Sequence, residues 1–363
     1  MLKTSYKDIL NNARMKSIPL NVFFELTYNC NLKCTHCYVM KDRIRKELTS
    51  EEVYAILDQL AEAGCIHLTF TGGEIFLRRD FFDIAGYARK KGFTLRLLTN
   101  GTLVTSHLAD QVMELRPLSA EISLYGAKKE TYEKITALSG SFDRVIRGIR
   151  LLVERKIAVV IKTVVTRENI NEVFDIERMS KDLGATFHRS SPLIYARNDH
   201  SRIPLSYRLS DSQLEKFMAE DFSRGLFSGW DPALERSLRK DNIICDFGRT
   251  IAAITPYGDL NPCIRLHLGR YNLKKDSFAR VWKDAEEFQR IRSLKWSDLP
   301  ACKDCDFFLF CFRCPCEAFL EEGNMKSPLA ESCRQARIRK KVYERIKLDI
   351  LKKEKEAQQN EKQ

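Results

Sequence analysis

The stretch ELTYNCNLKCTHCY, residues 25–38, places Cys30, Cys34 and Cys37 within eight positions, just after a short apolar run. Disulfides use cysteines in pairs, and a closed tetrahedral zinc site uses four ligands. An iron–sulfur cube with one iron open to another ligand uses three thiolates. The spacing therefore favours such a cube, and a zinc site with His36 as the fourth ligand is the alternative.

Length and composition are those of a globular chain. It has 363 residues, enough for one large or two moderate domains, and 44% of them are hydrophobic. The sequence contains no segment typical of a signal peptide and no run of about 18 apolar residues, which predicts a cytoplasmic protein without a membrane segment. Twelve cysteines in such a chain indicate metal or redox chemistry in preference to disulfides.

Six apolar, strand-like segments alternate with helical segments between residues 21 and 225. They are NVFFEL, CIHLTFT, FTLRLLT, SAEISLYG, IAVVIKTVVT and ATFHRSSPLIY. This alternation predicts parallel strands joined by right-handed helical crossovers. Six units are fewer than the eight of a closed barrel, so the predicted fold class is α/β, a partial (β/α)6 TIM-like barrel. Its site is expected at the carboxyl ends of the strands, where the cysteine loop, TGGE (71–74), TNGT (99–102) and Ser123 all fall.

The composition changes after Cys245, because eight of the twelve cysteines lie between residues 245 and 333 and the helix–strand alternation stops. We therefore divide the chain into an N-terminal extension (1–20), the barrel (21–234), a small cysteine-rich domain (235–335) and a basic C-terminal helix or tail (336–363). From Arg334 onward there are eleven Lys or Arg against five Asp or Glu. A basic helix can bind nucleic acid or an anionic membrane. Apolar residues spaced by four instead favour a helix docked on the body, so neither partner is predicted.

The C-x3-C-x2-C spacing after the first strand, together with Gly72-Gly73-Glu74 after the second, resembles the radical S-adenosylmethionine enzymes. The resemblance covers residues 20–230. It implies that the three thiolates hold a 4Fe–4S cluster whose open iron binds S-adenosylmethionine. It also implies that one electron cleaves this cofactor to a 5′-deoxyadenosyl radical. No catalytic residue beyond the cofactor-binding set is predicted.

The same resemblance implies which residues contact the cofactor. They are Tyr38, Gly72, Gly73, Glu74, Asn100 and Ser123. Glycines let the backbone approach a ligand closely, and Glu74 is expected to accept a charge-assisted bond from the methionyl amine. Turn, capping or packing roles are the alternatives at these positions. One departure is Thr136, which stands where some relatives have an arginine for the cofactor's carboxylate, and Lys162 is a substitute if it faces inward.

The cysteines from residue 245 onward resemble the SPASM extension that certain radical S-adenosylmethionine enzymes carry. This resemblance covers residues 245–335 and implies two auxiliary iron–sulfur clusters, which makes the second domain an iron–sulfur domain. The outer cluster is expected on Cys302, Cys305, Cys311 and Cys333, and the inner one on Cys245, Cys263 and Cys314. Cys316 completes the inner cluster, or one of its irons stays open. A structural zinc domain is the alternative, because zinc sites also use C-x2-C pairs.

Enzymes with this extension mostly act on peptides or proteins, so the resemblance implies maturation of a ribosomally made peptide by hydrogen abstraction. Modification of a small molecule or tetrapyrrole and sulfatase maturation are alternatives, and a non-catalytic iron–sulfur scaffold or electron carrier is the alternative outside enzymes. Twenty residues precede the first strand, too few for a fused leader-binding domain, so a separate leader-binding protein is an expected partner. A low-potential electron donor such as a flavodoxin or ferredoxin is the other.

Overall fold

One eight-stranded sheet organises the structure, a computed structural model that describes residues 5–39, 44–189, 194–224 and 243–360. The strands are β1 (Asn21–Thr27), β2 (His67–Gly72), β3 (Thr94–Thr99), β4 (Ser119–Ser123), β5 (Val159–Thr163), β6 (Thr186–Arg189), β7 (Ile251–Ile254) and β8 (Leu260–Asn261). Their order across the sheet is β6-β5-β4-β3-β2-β1-β7-β8. Every neighbouring pair from β6 to β7 is parallel, and β8 is antiparallel to β7.

Helices lie between consecutive strands from β1 to β6, and further helices precede and follow this part of the chain. Within the described residues they are α1 (Tyr6–Lys16), α2 (Ser50–Glu62), α3 (Phe81–Lys90), α4 (Ser106–Leu115), α5 (Lys129–Thr136), α6 (Ser141–Glu154), α7 (Val173–Asp182), α8 (Asp211–Ser223), α9 (Phe278–Asp284), α10 (Glu286–Ser293), α11 (Pro315–Glu322) and α12 (Ala330–Asn360). Thr49 and Glu52 form a capping box that starts α2, each side chain accepting a bond from the other's backbone N–H. None of the helices in these ranges is long and apolar enough to span a bilayer.

The two faces of the sheet have different compositions. Phe24, Phe70 and Ile122 pack with the helices in one large core and are fully buried. Neighbouring side chains along a strand point to opposite faces of the sheet. Glu25, next to Phe24, and Glu121, next to Ile122, therefore lie on the opposite, inner face. The carboxyl ends of the parallel strands meet at one edge, where the cysteine loop and TGGE leave β1 and β2. The predicted α/β class with a partial TIM-like barrel is confirmed.

The described chain separates into two compact units whose boundaries differ from the predicted domains. The first unit contains the residues up to Tyr207 together with Asp246–Ser293, and the second contains Arg208–Cys245 and Leu294–Gln363. The segment after Cys245 joins the first unit because β7 pairs in parallel with β1 and the Phe278 N–H donates to Gln59 on α2 at 2.8 Å. The predicted boundary at residues 234 and 235 itself lies outside the described residues.

The basic C-terminal segment forms helix α12, which begins at Ala330, earlier than the predicted start at residue 336. Within the second unit Glu215 of α8 pairs with Lys341 at 2.9 Å and with Arg345 at 2.8 Å. Val342, between them, is completely buried. These contacts agree with the docked helix that the spacing of apolar residues predicts.

Candidate functional site

The cysteine loop leaves the carboxyl end of β1 and is fastened to the end of α5. The Lys33 N–H donates to the Thr136 carbonyl at 3.1 Å, and the Thr35 N–H donates to the Ile135 carbonyl at 3.0 Å. The side chain of Thr136 is fully buried and donates to the Tyr132 carbonyl at 2.9 Å. The backbone carbonyls of Ile135 and Thr136 therefore hold the loop in place, while the Thr136 side chain bonds within its own helix.

The three thiols of this loop lie close enough together to influence one another's ionisation. Burial, with smaller contributions from Cys37 and Cys30, raises the pKa of Cys34 to about 12. Burial also raises the pKa of Cys30 and of Cys37. Three thiolates are therefore unfavourable here without a compensating cation, and a cationic iron–sulfur core is a group that this donor set fits. Binding such a core releases the thiol protons.

His36, the alternative fourth ligand for zinc, is buried against an aromatic side chain. Its ring packs edge-on against Tyr125 with 4.6 Å between centroids, and burial lowers the pKa of His36 to about 4. Its buried Nδ1 has no hydrogen-bond partner in the described ranges. Nor does any group of three or more His, Cys, Asp or Glu among these residues have an arrangement that could hold a metal ion. A cube of four irons holds thiolates at separate corners, farther apart than the ligands of one ion, so this finding concerns single-ion sites alone.

The TGGE turn brings the backbone of β2 against the segment that follows β1. The Gly73 N–H donates to the Thr27 carbonyl at 2.7 Å, and the Glu74 N–H donates to the Asn29 carbonyl at 2.8 Å. A Cβ at Gly73 would lie 2.3 Å from the Asn29 oxygen, and Gly72 has a φ of +128°. Both positions therefore require glycine for this approach, which gives the turn a structural role besides the predicted cofactor role.

Gly73→Ala is expected to lower the free energy of unfolding by about 1–3 kcal/mol, because the added Cβ forces two bonded backbone segments apart. It should also weaken S-adenosylmethionine binding. Urea unfolding and equilibrium dialysis with labelled cofactor measure the two effects. Gly86→Ala in α3 is the matched control, because a Cβ there meets nothing within 4 Å, and it should be neutral or slightly stabilising. Equal stability and affinity in the two variants would contradict this account.

Glu74 is completely buried at the junction of β2 and β3. Its carboxylate accepts bonds from the Thr99 hydroxyl at 2.6 Å, the Asn100 N–H at 2.7 Å and the Phe76 N–H at 3.3 Å. Burial raises the pKa of Glu74, and these three donors oppose the increase. Glu74 thus ties together the ends of two strands, while its contact with the methionyl amine stays a prediction.

Asn100 connects the end of β3 to the cysteine loop. Its Nδ2 donates to Asn31 Oδ1 at 2.9 Å and lies 3.8 Å from Cys30 Sγ. Its Oδ1 accepts bonds from the N–H and the hydroxyl of Thr102, at 2.9 Å and 2.6 Å. The structure therefore brings Asn100 to the first cysteine, as its place at a strand end predicts, and its contact with the cofactor stays a prediction.

Lys162 lies beside Ser123 in the register of β4 and β5, on the inner face of the sheet. The Lys162 ammonium pairs with the Glu121 carboxylate on β4, and Ser123 hydrogen-bonds the Tyr125 side chain. Lys162 therefore faces inward, as it must if it is to replace the arginine that binds the cofactor's carboxylate in some relatives. A carboxylate on a bound cofactor would compete with Glu121 for this ammonium, and the cofactor roles of Ser123 and Lys162 stay predictions.

Glu25 is a buried acid that sequence analysis did not select. It is fully buried on the inner face of β1 and accepts bonds from the hydroxyls of Tyr28 at 2.7 Å and of Tyr38 at 3.1 Å. His267 Nε2 lies 3.8 Å from the Glu25 carboxylate and has no hydrogen-bond partner among the residues described. Tyr38, predicted to contact the cofactor, thus contacts this acid.

Burial gives Glu25 a protonation equilibrium near neutral pH. It raises the pKa of Glu25 to about 7, with the tyrosine hydroxyls opposing the increase, and it lowers the pKa of His267. The carboxyl and imidazole therefore favour their neutral forms together, and this group can hold or release one proton beside the cysteine loop.

Four cysteines of the second unit form another group of thiols. They are Cys302, Cys305, Cys311 and Cys333. Burial, with contributions from the other three cysteines, raises the pKa of Cys311 to about 12. Burial also raises the pKa of Cys302 and of Cys333, and each is near other members of the group. The structure therefore brings together the residues predicted to hold the outer auxiliary cluster, and their binding of iron stays a prediction.

The remaining cysteines are not brought together within one unit. Cys263 belongs to the first unit, and Cys245 and Cys314 belong to the second, so the inner auxiliary cluster stays a prediction. Cys316 is 3% exposed in the first turn of α11. Cys65 is buried in the main core.

Two family matches cover the parts of the sequence that carry these sites. Residues 24–179 match the Radical SAM superfamily. Residues 245–306 match SPASM, an iron–sulfur cluster-binding domain. The second match includes Cys302 and Cys305 and ends before Cys311. The proximity of Cys311 and Cys333 to these two cysteines is therefore seen in the structure and not in the family match.

Relatives of known name extend over most of the chain. The AdoMet-dependent heme synthase of Methanosarcina barkeri is 27% identical over 335 residues, 85% of this chain and 95% of that protein. The PqqA peptide cyclase of Bradyrhizobium diazoefficiens is 26% identical over 327 residues, 86% of either chain. Streptococcus suis SuiB, solved bound to the precursor peptide SuiA, has a TM-score of 0.67 at 17% sequence identity. The match covers 92% of this chain and 82% of the SuiB chain. That likeness shows a shared fold.

A parallel sheet that carries a three-thiol loop beside a double-glycine turn, together with a second group of thiols, defines an iron–sulfur enzyme of the kind that uses S-adenosylmethionine. The chain carries a Radical SAM domain over residues 24–179 and a SPASM domain over residues 245–306, and it is a radical SAM enzyme. Its cofactors are S-adenosylmethionine, a 4Fe–4S cluster and auxiliary iron–sulfur clusters. The non-catalytic interpretation is therefore wrong.

Proposed function

We propose that this enzyme removes a hydrogen atom from a peptide and thereby matures a ribosomally synthesised precursor. The observation that carries the proposal is the similarity to the PqqA peptide cyclase over 86% of the chain, a share that includes residues of both matched domains. SuiB, which shares the fold, binds a precursor peptide. A separate leader-binding protein and a low-potential electron donor are the partners that we propose.

Each part of the site has a task in this proposal. When bound, the cluster and S-adenosylmethionine supply a one-electron cleavage that yields a 5′-deoxyadenosyl radical. Cys30, Cys34 and Cys37 hold the cluster, and the bonds from the loop backbone to the end of α5 fix their positions. Glu25, with His267 beside it, is our candidate for the group that exchanges a proton with the substrate.

A second candidate function is modification of a tetrapyrrole, because the heme synthase relative covers the chain equally well. The charges of the inner face support the peptide more than an iron porphyrin with several carboxylates. The inner-face ammonium of Lys162 is already paired with Glu121. A carboxylate of a porphyrin would have to displace Glu121 from this ammonium, which would leave the Glu121 charge without its partner.

Anaerobic turnover followed by mass spectrometry separates the two candidates. The reconstituted enzyme, S-adenosylmethionine and dithionite are incubated with candidate precursor peptides or with an iron porphyrin that bears carboxylate side chains. We expect one peptide to lose the mass of two hydrogens, as a new intramolecular bond requires, with release of 5′-deoxyadenosine. Conversion of the porphyrin with every peptide unchanged would overturn the proposal in favour of the second candidate.

A further inference from the structure

Arg313 is buried beside the four-thiol group. In the sequence Arg313 lies between Cys311 and Cys314, and in the structure it is 6% exposed. Nε donates to the Ser327 carbonyl at 3.2 Å, and Nη2 donates to the carbonyls of Ser327, at 2.6 Å, and Met325. Nη1 is buried and has no hydrogen-bond partner in the described part of the chain. Nε and Nη2 therefore bond the loop carbonyls, and Nη1 is available to a further hydrogen-bond acceptor.

The charge of Arg313 needs a negative partner, because a buried cation without one is costly. In the structure as described, no carboxylate pairs with this guanidinium. The thiols of Cys302, Cys311, Cys314 and Cys333 lie close enough to the guanidinium to interact with it electrostatically.

An iron–sulfur cluster on these cysteines would supply that negative charge, because a cluster held by four thiolates is anionic as a whole. Ligation by four cysteines fits such a cluster. Arginine keeps its proton in proteins, so its charge is a fixed feature of the site. Nearby charge and hydrogen bonds to sulfur are among the factors that set the reduction potential of a cluster.

We propose that Arg313 is the counter-ion of the auxiliary cluster at Cys302, Cys305, Cys311 and Cys333, and that it raises the reduction potential of this cluster. The step it favours is the addition of one electron to the oxidised cluster, in which no bond forms or breaks and no proton moves. Its physical basis is the Coulomb attraction between the buried guanidinium and the added negative charge. This inference depends on the four-thiol assignment and goes beyond the proposed function, since it holds whatever the substrate is.

A purely structural role for Arg313 predicts different behaviour. The bonds to Met325 and Ser327 alone would make Arg313 a clamp for the segment before α12. A lysine cannot reproduce that fork of donors but keeps the charge, whereas a glutamine lacks the charge. Arg313→Lys and Arg313→Gln therefore distinguish a counter-ion from a clamp.

The test is a redox titration, followed by electron paramagnetic resonance, of the full chain carrying Cys30→Ala, Cys34→Ala and Cys37→Ala, so that only auxiliary clusters contribute. Dithionite supplies the electrons. In this background Arg313→Gln should lower the ratio of reduced to oxidised cluster at a fixed potential about tenfold, which corresponds to about 59 mV for one electron. Arg313→Lys should stay close to the parent. Arg345→Gln is the matched control, because Arg345 is half exposed and already paired with Glu215.

Unchanged titration curves in Arg313→Gln, or equal shifts in the glutamine and lysine variants, would overturn the inference. If Arg313→Gln fails to retain iron, the iron content of Arg313→Lys decides. Iron retained by the lysine variant supports a counter-ion, and iron lost from both supports a clamp. No product is measured, so a failure of the peptide proposal would leave this result unaffected.

Discussion

Replacing Cys30, Cys34 and Cys37 together with alanine should abolish the release of 5′-deoxyadenosine from S-adenosylmethionine. The three thiols lie in one loop and influence one another's pKa, and the alanine variant leaves no sulfur there to hold an iron. The four-thiol group lies in the other unit, so it should keep its iron. Chromatography of the dithionite-treated, anaerobically reconstituted protein measures the nucleoside, and iron and sulfide assays measure the clusters.

Cys65→Ala is the matched control for this loss. Cys65 is 7% exposed, and its Sγ lies 3.4 Å from the His67 carbonyl, in the core and outside both groups of thiols. We expect this variant to lose some stability and to keep both its iron and its nucleoside release. Release from the triple variant at the wild-type rate would show that the cluster site lies elsewhere. Zinc in place of iron at the loop of anaerobically prepared protein would refute the cluster itself.

The edge of the sheet that carries the loop could be predicted from sequence, because its signals are local. Cys30 to Cys37 and the glycines at 72 and 73 each directly follow an apolar segment, and such segments in βα units all end at the same edge. The structure places them there, in the loop after β1 and at the end of β2. The four-thiol group was implied by the resemblance of the cysteine pattern to the SPASM extension, which also supplied Cys333, a residue distant from the other three in the chain.

The division into units could not be predicted, because it depends on a pairing between distant segments. Ile251–Ile254 follows a cysteine-rich boundary in the sequence, yet it pairs in parallel with β1, more than 200 residues earlier. Hydrophobic periodicity shows that such a segment is a strand but does not show which strand it joins. The change in composition after Cys245 therefore does not coincide with the end of the first compact unit, and the division into domains stays a prediction.

Glu25 was missed because its meaning depends on the face it occupies. In NVFFEL a single acid among apolar residues looks like an ordinary interruption of a strand. Phe24 and Leu26 point to the helices, so the alternation of side chains assigns Glu25 to the inner face. The alternation of side chains could therefore have identified Glu25 from the sequence. The approach of His267 to Glu25 could not have been predicted, because the two residues are distant in sequence.

Glu25→Gln should remove a pH dependence of stability that the buried carboxyl creates. The pKa of Glu25 is raised from its ordinary value of 4.5 to about 7 in the folded state. Below pH about 4.5 the carboxyl is protonated in both states and its contribution to stability is fully present. Between pH 4.5 and 7 the unfolded chain releases the proton first, so the free energy of unfolding falls, by about 3 kcal/mol in total.

Urea unfolding of iron-free wild type and Glu25→Gln at pH values from 4.5 to 8 measures this difference. The stability of the variant relative to wild type should increase with pH and become constant above pH about 7. Tyr28, Tyr38 and His267 face the carboxyl, and taking the difference between the two proteins largely removes their own titration. Glu52→Gln is the control, because a bond from Lys274 lowers the pKa of the partly exposed Glu52 below its ordinary value of 4.5. Its small stabilisation is lost only as the pH falls below that value, so its curve should run nearly parallel to that of wild type from pH 4.5 to 8. Parallel curves for wild type and Glu25→Gln would mean that Glu25 is ionised in the folded chain across this range and cannot store a proton for the reaction.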